Sequence, residues 1–175
     1  MYYKDTVGNL YLDPSIKLIN KKQLIEIDKE NFERYIADIN KPTKESLFLI
    51  IESIRDKFFS QGVPYNDAIL HGGNKSAIDI KVLGIDLVSA GAAVPVWKVK
   101  KGSNIENPTL EQLTEMLTAV ATNVGIGYKA EDIVKQQIFV LSDEKISNFD
   151  VENAFNNAVQ LISSLQNDES ASSIS

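Results

Sequence analysis

The sequence predicts an α+β fold: short antiparallel β-hairpins beside a dominant layer of helices, with one long helix in the C-terminal half. Three observations predict it. Brief apolar or aromatic runs come in pairs around turn residues, as hairpins require. Longer stretches repeat apolar residues at helical spacing. Strands and helices do not alternate in the βαβ rhythm that a doubly wound parallel sheet needs.

Taken in order, Tyr2-Tyr3-Lys4-Asp5 and Leu10-Tyr11-Leu12 flank Thr6-Val7-Gly8-Asn9 and read as a hairpin that Asp13-Pro14-Ser15 ends. Leu24-Ile25-Glu26-Ile27 reads as a short strand. Asp28 sits where an N-cap belongs, and Phe32, Tyr35, Ile36 and Ile39 give the following helix one apolar face. Lys41-Pro42-Thr43 breaks the chain, because proline disfavours helix at the residue before it. Thr43 caps a helix over 44–61 whose expected buried stripe is Leu47, Ile50, Ile51, Ile54 and Phe58, with Gly62 as its stop.

Val63 to Leu70 reads as a second hairpin around Asn66-Asp67, and His71-Gly72-Gly73-Asn74 as a turn. A helix over about 75–90 should bury Ile78, Val82, Ile85 and Val88 and end at Gly91. Val94 to Val99 and the segment around Ile105 form a third hairpin. Thr109 and Gln112 make a capping box for the longest helix, which carries Leu110, Leu113, Leu117, Val120, Val124 and Tyr128. Gly125 and Gly127 fall inside it, which leaves a kink, a tight helix crossing and a true break all open. The pattern resumes with Ile133, Val134 and Ile138, and Asp150 caps a last helix with Val151, Ala154, Phe155, Ala158 and Leu161. The expected organisation is a hairpin-and-helix module over 1–41, a larger α+β domain over 42–166, and a small, polar, disordered tail over 167–175.

Composition narrows the function. The 175 residues carry 18 Lys and Arg against 24 Asp and Glu, one His and no Cys, for a net charge of −6. Without cysteine there is no disulfide, Cys-based zinc site or thiol nucleophile, and a lone histidine cannot build a multi-His metal site. The acidic balance argues against nucleic acid as a partner. No apolar run approaches the ~20 residues of a membrane span, and the N-terminus does not read as a signal peptide. The acidic excess is local: residues 106–175 hold three basic and eleven acidic side chains, a balance of −8, whereas 61–105 hold five and three. That segment reads first as a solvated helix surface and second as a docking surface for a basic partner.

Catalytic constellations fail on residue type. His71-Gly72-Gly73 echoes an esterase oxyanion loop, but no Gly-x-Ser-x-Gly elbow follows and His71 would have to serve two roles. The glycines at 84–91 and 125–127 lack the Gly-x-Gly-x-x-Gly and P-loop patterns. Asp28 with Glu30, Glu131 with Asp132, and Asp143 with Glu144 read as hydrated surface acids. Asn74-Lys75-Ser76 matches a glycosylation acceptor in letters only. Lys98, Lys100 and Lys101 read as a solvated hairpin tip, and Trp97 as a core or subunit-contact aromatic. No cofactor or metal is expected.

Several stretches carry a resemblance: Tyr2-Tyr3-Lys4-Asp5 with Gly8-Asn9-Leu10-Tyr11, Ile54-Arg55-Asp56, Gly62-Val63-Pro64-Tyr65-Asn66, the helix from Lys75, Val96-Trp97-Lys98, Thr109 to Leu113, and Gln137-Ile138. Together they resemble a domain of unknown function found in bacteriophage tail-fibre and tail-fibre-assembly proteins. The chain departs from that pattern at Gly72-Gly73-Asn74-Lys75 and at Gly125 and Gly127. The resemblance implies a non-enzymatic structural adaptor or tail-fibre attachment or assembly protein. Its partners would be other phage tail proteins or its own copies, in the virion tail or the host cytoplasm during assembly. Such a protein works by contact, which makes Tyr2, Tyr3, Tyr11 and Trp97 interface candidates. Leu110, Leu113, Leu117, Val120 and Val124 allow two readings: an intramolecular core, which their spacing favours, and a seam with another copy. The alternative function is a small-molecule-binding or hydrolytic domain at the Gly-rich turn of His71.

Overall fold

A computed structural model describes residues 1–39 and 41–172. It has the expected α+β class, in two compact units, Met1–Pro42 and Thr43–Ser175.

The first unit is a three-stranded antiparallel sheet with two helices. β1 (Tyr2–Lys4) lies between β2 (Leu10–Leu12) and β3 (Ile25–Ile27), so the expected hairpin gains the expected lone strand as a third member. The loop from β1 to β2 folds around the Asp5 carboxylate. It accepts from the Asn9 amide (2.8 Å), Val7 N–H (3.1 Å), the Asn9 backbone (2.8 Å) and the Tyr11 hydroxyl (3.1 Å). These bonds, the Asn9 side chain's first, hold the Asp5 pKa below its ordinary value against the opposing effect of burial. α1 (Ile16–Lys22) is a helix that apolar periodicity does not announce; the Ser15 hydroxyl caps it by accepting from Leu18 N–H at 3.3 Å. α2 (Lys29–Ile39) starts where expected, with Asn31 N–H on the Asp28 carboxylate at 2.7 Å. Ile36 on its expected inner face is exposed, and the Ile39 side chain lies outside the described residues.

In the second unit, α3 (Lys44–Gln61) and α6 (Leu110–Phe139) begin at capping boxes built on Thr43 and Thr109. Between them come the hairpin of β4 (Val63–Tyr65) and β5 (Ala68–Leu70), and then α4 (Asn74–Asp79). A π-helical segment (Ile80–Asp86), α5 (Leu87–Ser89) and the small hairpin of β6 (Val96–Trp97) and β7 (Ile105–Glu106) follow. The chain closes with α7 (Asp143–Ile146) and α8 (Val151–Ser172). No Gly or Pro interrupts α8, so residues 167–172 of the expected tail are helical, and 173–175 lie outside the described residues.

α6 runs unbroken through Gly125 and Gly127, which settles the question those glycines raise. Gly127 is a close-approach site: a Cβ there would lie 2.4 Å from the Phe59 ring of α3. Gly125 meets nothing within 4 Å. The helix serves two cores. Its C-terminal half (Ala130, Val134, Ile138) packs with Leu47 and Ile51 of α3 and with Val151, Phe155 and Ile162 of α8. Its N-terminal half (Leu113, Met116, Val120) packs with Val63, Leu70 and Ile80. Ile50 and Leu161, expected inside, are exposed.

The helix over 74–89 differs most from expectation. Ile78 and Val82 face solvent, at 60% and 48% exposure, while Ile80 and Gly84 are buried. The i→i+5 hydrogen bonding of the π segment widens the turn and re-aims the side chains, so a stripe counted at α-helical spacing fails. Gly84 allows the fit: a Cβ there would lie 2.8 Å from Leu113 Cδ2 and 3.3 Å from the Trp97 ring.

Candidate functional site

The turn after β5 fixes the site. Gly72 packs on the end of α3, where a Cβ would lie 2.3 Å from the Phe59 carbonyl oxygen, and Gly73 has φ 86°, a left-handed value that favours glycine. These constraints give the Gly-Gly pair a structural cause. They also deliver His71 to the mouth of a groove of about 650 Å³. Its floor is apolar: Leu70 and Ile80, both buried, with Leu83, Val94, Val96 and Trp97. Its rim carries His71, Lys75, Ser76, Asp79 and Lys98. Asp79 is engaged by Lys75 at 2.8 Å, one helical turn away. Outside the groove, Ile78, Val82 and Leu87 of the same helical stretch are exposed.

This shape suits binding. Sites for organic ligands and side chains are concave, mostly apolar and of roughly 300–1,000 Å³, with a few polar groups to orient what enters. His71 also lines a second depression with Asp56, Phe59, Ser60 and Lys100.

The candidate tyrosines lie in the first unit and the remaining candidates in the second, and most are engaged within their own unit. Tyr3 is buried opposite Tyr11 in the sheet register, and Tyr2 packs on Phe32 with ring centroids 4.6 Å apart. The Tyr11 hydroxyl is occupied by Asp5 and by Lys22 at 2.8 Å. Leu113 and Val120 are 0% exposed in the core of the second unit, so they offer no seam to another chain. Leu117 and Val124 pack half-buried on the same core, and only Leu110 of that stripe is exposed. Trp97 alone joins the groove, half-buried between it and the core.

The three lysines beside Trp97 have different roles. Lys98 lines the groove, Lys100 donates to the Ser60 and Gln61 carbonyls at the C-terminus of α3, and the Lys101 backbone pairs with Ile69. One surface assignment is corrected. Glu131 is 6% exposed and grips Arg55 and Lys135, both at 2.6 Å. Arg55 also reaches Asp56 at 2.7 Å, and Lys135 reaches Glu52 at 2.9 Å. Hydrogen bonds to Glu131 and then Glu52 raise the Lys135 pKa above its ordinary 10.5, outweighing burial. With both oxygens held by cations, Glu131 is a strut between α3 and α6. Sequence reasoning also missed Leu83, Val94 and Val96 as groove residues; the readable signal was the apolar run broken by Pro95 next to the chain's single tryptophan.

No protein-family model, curated protein or solved structure matches this chain. No helix among the described residues is long and apolar enough to cross a membrane.

Proposed function

We propose that this protein is a non-enzymatic contact protein whose working surface is the groove at Trp97 and the apolar helix face beside it. The observation that carries this reading is the uncovered apolar surface on Ile78, Val82 and Leu83, the last at 53% exposure, continuous in sequence with the groove floor at Ile80. Exposed apolar side chains beside a groove with a polar rim are what an interaction site offers. The resemblance to tail-fibre and tail-fibre-assembly proteins supplies the setting: a bacteriophage tail component that attaches or helps assemble tail fibres by protein–protein contact. Mass spectrometry of purified virions, together with pull-downs of tail proteins from infected cells, tests the setting. Detection in virions identifies an adaptor, and detection only in pull-downs identifies an assembly factor. Absence from both removes the tail assignment.

A second reading keeps one specific observation. His71, the residue of the small-molecule alternative, stands at the mouth of a groove large enough for an organic ligand. His71→Ala should then abolish binding or turnover in a panel of small ligands and esters; an unchanged panel discards that reading.

A further inference from the structure

We infer that the groove takes an acidic, amphipathic peptide segment of a partner protein, with apolar side chains on the floor and carboxylates on the rim. The inference rests on the contact reading and names the chemistry of its partner. Size argues for a peptide. A small ligand filling the groove would leave Ile78, Val82 and Leu87 uncovered, whereas a peptide crossing the helix covers both. Charge argues for acidity. The rim holds two lysines, Lys75 and Lys98, against one carboxylate, Asp79, which Lys75 already engages. Among the described residues Lys98 makes no ion pair, and the 88% exposed Lys75 side chain is open to a second carboxylate. The chain as a whole is at −6 while two lysines against one aspartate leave this rim at +1, a local excess of positive charge that favours an acidic partner here.

Trp97 is the only tryptophan, it lines the groove, and its emission reports occupancy directly. The test is a titration of the full chain with three short tryptophan-free peptides: one of leucine and glutamate, one with lysine for glutamate, and one with serine for leucine. Sodium decanoate, an apolar tail with a single carboxylate, is the small-molecule control. The leucine–glutamate peptide should shift Trp97 emission saturably. The lysine peptide should bind at least about tenfold more weakly, and the serine peptide and decanoate weaker still. The double variant Lys75→Glu/Lys98→Glu, both exposed positions, should reverse the preference for glutamate over lysine. Equal binding of the two charged peptides, or an unchanged preference in the double variant, overturns the acidic-partner inference. So does decanoate matching the peptide, or no emission shift with any probe. None of these outcomes touches the tail assignment, which stands or falls on the virion and pull-down measurements.

Discussion

The two halves of α6 have the same helix geometry and opposite surroundings. From Gly127 onward it is enclosed by α3 and α8, with Ile51, Val134 and Phe155 in the core and a charged strut at Glu131. Before Gly127 it is covered by two small hairpins and a helix with a π-helical interior, which leave a groove and exposed apolar residues. The α3–α8 half buries the larger core and leaves its exposed apolar side chains, Leu49, Phe139 and Leu161, outside the groove of the other half. The open half carries the groove and the π segment, and π segments are frequent where a helix is shaped for function. The difference teaches that one long helix here supports a closed helical core at one end and a grooved core at the other.

The sharpest way to break the comparison is to damage the enclosed half. Phe155→Ala empties a fully buried ring site and should cost about 3–5 kcal/mol in urea unfolding. Next is Glu131→Ala, which leaves the Arg55 and Lys135 charges without their shared carboxylate and should cost about 1–3 kcal/mol by the same measurement. In the open half, Gly84→Ala sets two effects against each other. Alanine gains about 1 kcal/mol of helix propensity. Its methyl must push Leu113 and Trp97, and overpacking costs about 1–3 kcal/mol. Overpacking wins, so a net loss of roughly 1 kcal/mol and a changed Trp97 emission are expected.

Smaller effects sharpen it further. The Lys135 pKa is raised in the folded chain, so its contribution is fully present below 10.5 and is lost as pH rises through the raised value. Urea midpoints measured across that alkaline window should fall less in Lys135→Met than in the parent protein. Leu83→Asp changes an exposed side chain and should alter stability by no more than about 0.5 kcal/mol, while removing binding of the leucine–glutamate peptide.

Local physics made most of the fold legible. The Thr43 cap, the Thr109 box, the Gly62 stop and the three turns each rest on residues a few positions apart, and each element starts or ends where those residues place it. α1 escaped because its cap, Ser15, follows Pro14 and reads as loop. The buried stripe of 74–89 was misplaced because the π segment has no short-range signature; Leu113 and Trp97 fit against Gly84 from distant parts of the chain. Glu131 looked like a surface acid for the same reason: Arg55 lies 76 residues earlier. The groove draws on β5, α4, the π segment and β6, so the sequence showed its tryptophan and its histidine and not their shared wall.

The measurement that tests the contrast between the halves most directly is a two-dimensional amide NMR titration of the 19.4 kDa chain with the leucine–glutamate peptide. Resonances of Gly72, Leu83, Val96 and the Trp97 indole should move together and saturate, while those of Ile51, Val134 and Phe155 stay in place. Shifts centred on α3 and α8, with the groove resonances unmoved, would contradict the division of this molecule into an enclosed scaffold and an open contact surface.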